Sequence, residues 1–284
     1  MRQSLSRYSR TLAAFTASNS TFRVLHSIPE STLPPPQTLY VLDSSFNPPT
    51  LAHLHIATSA LLQDAQPSPS PKRLLLLLAT QNADKAPKPA SFDQRLLMMQ
   101  LFASDLQSTL SQSQPTTSST SPPVGIDIGV TKLPYFTDKA LAISQSDAYP
   151  LSTQVHLTGF DTLIRILDPK YYPPEKKLGA LDAFLGQHRL RVAYRVGDKW
   201  GGKAAQDEYL RELETGEREK HGGKREWVTQ GRIVMCEGRE KDEGAVSSTR
   251  VREAVKSGDR ELLGKMVTSG VADWILEEGL YLEA

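Results

Sequence analysis

A single cysteine, Cys236, in 284 residues excludes an intrachain disulfide framework and a cysteine-rich zinc site, and it fits a reducing compartment. Charge of one sign is equally missing. With 33 basic and 32 acidic residues the net charge is +1, so there is no basic excess of the kind that bulk nucleic-acid binding needs. No apolar run approaches the ~20 residues of a membrane span; the run "LLLLL" at 74–78 reads as a buried strand. Internal repeats are absent too. At 39% hydrophobic content the chain can bury one sizeable core, or one core with a small satellite.

The first 29 residues carry Arg2, Arg7, Arg10 and Arg23, many hydroxyl side chains and no acid before Glu30. That composition suits a mitochondrial presequence. The competing reading, a helix over "SLSRYSRTLAAFTAS" packed on the domain edge, is preferred because "FRVLHSIP" continues it like folded structure. Residence in the cytoplasm, and the nucleus with it, is the expectation, with the mitochondrial alternative left open.

Strand-like and helix-like apolar runs alternate along the chain. "TLYVL" precedes a helical run at 50–62, "RLLLLLAT" precedes "SFDQRLLMMQLFASDL", and "VGIDIGVTKLP" precedes "FTDKALAIS". "TQVHLTGF" leads to "DTLIRIL", "LRVAYRVG" to a charged helix, and "GRIVMCEG" to "SSTRVREAV". Short, continuously apolar strands alternating with helices predict an α/β fold, a Rossmann-like open parallel sheet with helices on both faces. Residues 1–37 are expected as an N-terminal helical extension and 38–284 as the main domain, ending in a C-terminal helical segment. Low-complexity surface loops are expected at 63–72 and 107–123, and a solvated, charged insert at 201–226.

Two strand-to-helix junctions carry the chemistry. In "DSSFNPPTLAHLH", Asp43 to His55, the turn residues Ser44, Ser45 and Phe46 offer backbone amides at a helix start, where an anion is favoured. Thr50 and His53, three apart, share one face of the first turn, whereas His55 points elsewhere. In "VSSTRVR", three hydroxyl residues precede a helix although capping needs only one. Ser248, Thr249 and Arg252 then place hydroxyls and a guanidinium together, a set suited to polyphosphate.

Together these stretches are similar to the signatures of the nucleotidyltransferase superfamily. "SSFNPPTLAH" resembles GxFxPxTxxH, and "VSSTRVR" resembles ISSTxxR. "LTGFDTL" and "ATQNADKAPKPASFDQRLLMM" resemble segments of nicotinamide mononucleotide adenylyltransferases, the fungal ones in particular. The resemblance covers roughly 38–280 and implies adenylyl transfer from ATP to nicotinamide mononucleotide, forming NAD and pyrophosphate. By that resemblance His53 and Thr50 would serve the α-phosphate, the 44–46 amides would line the phosphates, and Ser248, Thr249 and Arg252 would hold the departing pyrophosphate. Gly159 would leave room for adenosine, Asp161 would accept from its ribose, and Lys85 and Arg195 would reach a phosphate. Mg2+ would be held through ATP and water, and the partners would be small nucleotides alone; oligomeric state is not readable.

The sequence departs from that pattern at two places. Ser44 stands where the motif has glycine, and serine resists a left-handed backbone. No tryptophan falls where the family sandwiches the nicotinamide ring; Tyr135, Phe136, Tyr171 and Tyr172 are the substitutes. Two alternatives therefore stay open: the same chemistry on nicotinate mononucleotide or another acceptor, and a regulatory protein that binds nucleotide without turnover.

Overall fold

A computed structural model of the chain describes residues 1–30, 34–63, 72–81, 89–113, 124–195, 200–238 and 246–282. Seven strands form one sheet: β1 (Phe22–Ile28), β2 (Thr38–Asp43), β3 (Arg73–Ala79), β4 (Gly125–Thr131), β5 (Thr153–Gly159), β6 (Arg189–Ala193) and β7 (Ile233–Cys236). Their spatial order is β1-β4-β3-β2-β5-β6-β7. Every pairing is parallel except β1 with β4.

The apolar strands are continuous because both faces are covered. Tyr40, Leu42, Leu74, Leu76 and Leu78 enter one cluster, with α2 (Leu51–Gln63), α3 (Phe92–Ser113) and the C-terminal helices. Their neighbours in sequence, Leu39, Val41, Leu75 and Leu77, enter another with Ile143 and Tyr149. That is the period-2 alternation of a strand expressed as two buried faces. A third cluster packs β6 against α5 (Phe160–Ile166), α6 (Asp182–Gln187), α7 (Lys203–Glu214) and α8 (Glu226–Thr229). Trp227 lies in that cluster and Trp274 in the first, so both are core residues.

Three expectations change. The first 37 residues are more than a helical extension: α1 (Arg2–Ala17) buries Tyr8 and Phe15 in the main core, and β1 adds an antiparallel edge strand. The segment from 107 to 113, expected as loop, is helical as the end of α3. Leu110 is buried there, and the hydroxyls of Ser108, Thr109, Ser111 and Ser113 donate to carbonyls four residues back, which satisfies them inside the helix. The charged insert holds α7, whose Gln206 and Leu213 are fully buried, so one of its faces is core rather than solvent.

β2 is flanked by β3 and β5, so the direction in which the chain winds reverses beside it. In open α/β sheets that reversal opens a crevice at the carboxyl ends of the strands. Residues 44–50, 160–161 and 195 follow carboxyl ends here, and Gly159 is itself the last residue of β5.

Candidate active site

The backbone of the first motif is set by the sheet. Ser44 N–H donates to Leu77 O at 3.2 Å, the last rung between β2 and β3. This corrects the expectation that the Ser44 amide faces a phosphate: it is already used. Nor does Ser44 adopt the left-handed backbone that its glycine counterpart suggested. The left-handed residue is Phe46, with φ 44°. A non-glycine residue there stores about 1–3 kcal/mol of strain, and the fully buried Phe46 ring, 5.3 Å from the His53 ring, holds it in place. Ser45 is exposed.

His53, in the first turn of α2, has both ring nitrogens engaged. Nδ1 accepts from the Thr50 backbone N–H at 3.0 Å and lies 2.9 Å from Thr50 Oγ1. A backbone N–H can only donate, so Nδ1 is bare and Nε2 carries the hydrogen. Nε2 lies 2.9 Å from Ser44 Oγ, to which it donates. Burial, with the nearby Arg195 cation, pulls the imidazole down from 6.5 to about 4. At neutral pH His53 is therefore an uncharged donor.

The second motif docks on the first. Ser247 caps α9 (Ser248–Lys256) by accepting from Arg250 N–H. The Ser248 hydroxyl donates to Pro48 O at 2.8 Å, and Arg252 Nη1 donates to Asn47 O at 2.8 Å. Arg252 Nη2 also donates to Thr249 Oγ1 at 3.1 Å. The two helix tips, separated by most of the chain, thus meet at one loop.

On the β5–β6 side, Asp161 Oδ1 and Arg195 Nε lie 3.2 Å apart, each about one-third exposed. Asp161 sits in the first turn of α5 without capping it by a side-chain bond. A Cβ on Gly159 would lie 2.6 Å from Asp161 Oδ1 and 3.3 Å from Arg195 Cδ. Glycine at 159 thus gives this partly exposed ion pair room that a side chain would crowd.

The four expected aromatic substitutes differ in their surroundings. Phe136 packs on His156 and Phe184, and the Tyr172 hydroxyl donates to Ile166 O at 2.7 Å; both belong to the third core cluster. Tyr171 lies beneath Lys170 and Arg165, and Tyr135 is exposed. Lys85 lies outside the described residues.

No family model matches the chain. A Schizosaccharomyces pombe protein described as "Putative nicotinamide mononucleotide adenylyltransferase" is 31% identical over 272 residues, spanning 95% of this chain and 94% of that one. The chain belongs to the nicotinamide mononucleotide adenylyltransferase family. Its fold is also that of Plasmodium falciparum nicotinic acid mononucleotide adenylyltransferase. The structure complexed with NaAD superposes with a TM-score of 0.51 at 14% identity, covering 86% of this chain and 97% of that one. The structure complexed with APC gives 0.50 at 13%, with the same coverage.

Within this adenylyltransferase scaffold, several supporting residues escape motif reading. Asn47 Oδ1 accepts from Tyr281 Oη at 2.9 Å and from Ala90 N–H at 3.4 Å, and Arg95 Nε donates to Ala90 O at 3.0 Å. Gln206 clamps the Arg195 backbone in both directions, accepting its N–H at 3.0 Å and donating to its carbonyl at 2.7 Å. Lys139 on α4 (Phe136–Ser144) pairs with Asp43 at 2.5 Å directly before Ser44, and both side chains are about nine-tenths buried.

Proposed function

We propose that the protein transfers the adenylyl group of ATP to the 5′-phosphate of nicotinamide mononucleotide, releasing pyrophosphate and forming NAD. The observation that carries this reading is the docking of the two motifs. Arg252 and Ser248 reach the carbonyls of Asn47 and Pro48, in the loop that presents His53. That docking holds a cation and hydroxyls against the loop that carries a neutral imidazole donor, which supports their acting on one polyphosphate.

The acceptor's phosphate is already a nucleophilic anion, so the reaction needs no general base. Its barrier is lowered by positioning and by donors placed where charge develops. His53, its Nδ1 held by Thr50 and its Nε2 hydrogen given to Ser44 Oγ, belongs to the donor set that supports the α-phosphate. Arg252, fixed by Asn47 and Thr249, holds the leaving pyrophosphate, and Arg195, whose charge is felt at His53, is a candidate for a phosphate as well. The Asp161–Arg195 pair is a candidate for the adenosine side, where the carboxylate would accept from ribose hydroxyls. Among the described residues no group of three His, Cys, Asp or Glu side chains is arranged to hold a metal ion. Mg2+ would enter with the ATP phosphates. Nor, among the described residues, is any helix long and apolar enough to cross a membrane.

The test is pyrophosphate release with ATP, Mg2+ and either nicotinamide or nicotinate mononucleotide. Wild type is expected to turn over the former faster, and His53→Ala to lose about 10²- to 10³-fold in kcat, the cost of one preorganised donor. Faster turnover of the nicotinate substrate would reassign the acceptor. Failure with every mononucleotide would favour the regulatory, non-catalytic reading. Full activity in His53→Ala would remove that residue from its role.

A further inference from the structure

Ser44 stands where the superfamily's motif has glycine, and its hydroxyl is the group that meets His53 Nε2, at 2.9 Å. Thr50 occupies Nδ1, so the only hydrogen that His53 can offer is the one already given to Ser44 Oγ. A hydroxyl that accepts this bond still has its own hydrogen to donate, and donation onward is strengthened by the bond it receives. Ser44 and His53 are both half-buried and Ser45 beside them is exposed, so the Ser44 hydroxyl that receives the imidazole's one hydrogen is itself accessible at the loop. Its backbone is pinned by the Leu77 carbonyl and by the buried Asp43–Lys139 pair one residue earlier. The serine therefore cannot swing aside by moving the chain.

The geometry points to Ser44 as a catalytic residue, a hydroxyl interposed between His53 and the α-phosphate. His53 Nε2–H donates to Ser44 Oγ, and Ser44 O–H donates to the non-bridging phosphate oxygen. No proton changes hands; the pair acts as one extended donor. In this chain His53 then acts through Ser44, and it is a positioning residue. This rests on the adenylyl-transfer reading and adds the atom that makes the contact.

The experiment is a double-mutant cycle on kcat for pyrophosphate release, with Ser44→Ala, His53→Ala and the double variant, beside Ser44→Gly. If the two side chains form one donor, Ser44→Ala lowers kcat tenfold or more. The same change costs less than twofold when His53 is already alanine, because the losses are shared. Ser44→Gly opens space for phosphate to reach Nε2 directly, so the expected order of activity is Ser, then Gly, then Ala. A purely steric role would follow side-chain size and put Ala in the middle. Ser44→Ala that keeps wild-type kcat, or that costs the same factor in both backgrounds, or that affects KM alone, overturns the relay while leaving adenylyl transfer intact. A folded wild type without turnover overturns both.

Discussion

The tautomer and the charge of the His53 imidazole are both fixed by its neighbours, so both can be measured against them. Its pKa falls from 6.5 to about 4 through burial first and the Arg195 cation second. That gap corresponds to about 3 kcal/mol of preference for the neutral ring in the folded chain. The sign follows from proton uptake. Between pH 6.5 and 4 the unfolded chain holds the proton on this histidine and the folded chain does not. The stability is complete above 6.5, drains as pH falls through the window, and is gone below about 4. Between pH 7 and 5 the residue alone should cost about 2 kcal/mol of unfolding free energy.

Burial also depresses His26, His156 and His188, so the raw acid sensitivity of the protein is not diagnostic. The difference between wild type and His53→Gln is. Denaturant unfolding at the two pH values should show wild type losing about 2 kcal/mol more than the variant. Long-range 1H–15N correlations of the ring should show the hydrogen on Nε2 at neutral pH, with no titration of His53 near 6.5. A hydrogen on Nδ1 would be incompatible with acceptance from the Thr50 amide, and a midpoint near 6.5 would remove the buried, cation-facing environment. Either result refutes the arrangement on which the neutral-donor role depends.

Two further outcomes test the frame around that residue. Lys139→Met leaves the Asp43 carboxylate buried without its cation and should cost about 3–5 kcal/mol in urea unfolding, while Asp43→Leu with Lys139→Met together should cost much less than two such losses; a single loss below about 1 kcal/mol would mean the pair is solvated. Arg252→Lys replaces a two-pronged contact to Asn47 O and Thr249 Oγ1 by a point charge, so kcat/KM for ATP should fall about 10- to 100-fold with thermal stability changed little; unchanged kcat/KM would show that the second motif binds no phosphate.

How much of this was legible beforehand divides along a physical line. That β2 to β7 are parallel strands, and where both motif junctions fall, follow from apolar runs and cap chemistry, which are local. The pairing of β1 with β4 does not, because an edge strand at the start of the chain is chosen by a partner about a hundred residues on. The use of the Ser44 amide by Leu77 is equally non-local. Tyr281, near the end of the chain, reaches Asn47 with no sequence signal at all.

Other missed residues did leave a trace. Phe92, Arg95, Leu96 and Met99 in α3, Phe136, Lys139, Ala140 and Ile143 in α4, and Gln206, Tyr209, Leu210 and Leu213 in α7 each run i, i+3, i+4, i+7. That is the stripe of a helix that faces its core. On each stripe one member is polar, and it is the fourth residue of its helix. Arg95, Lys139 and Gln206 are all buried. Side chains on a helix lean toward its N-terminus, and these three helices are the ones that follow β3, β4 and β6 in the chain. A polar residue in the first turn of such a stripe is therefore aimed at the strand rim rather than at the middle of the core. Arg95 meets Ala90, Lys139 meets Asp43, and Gln206 meets Arg195. In this sheet, a lone polar residue early on an apolar stripe is thus a pointer to the strand rim, and each of the three holds in place a backbone or carboxylate beside a candidate site residue: Ala90 against Asn47, Asp43 before Ser44, and Arg195 itself.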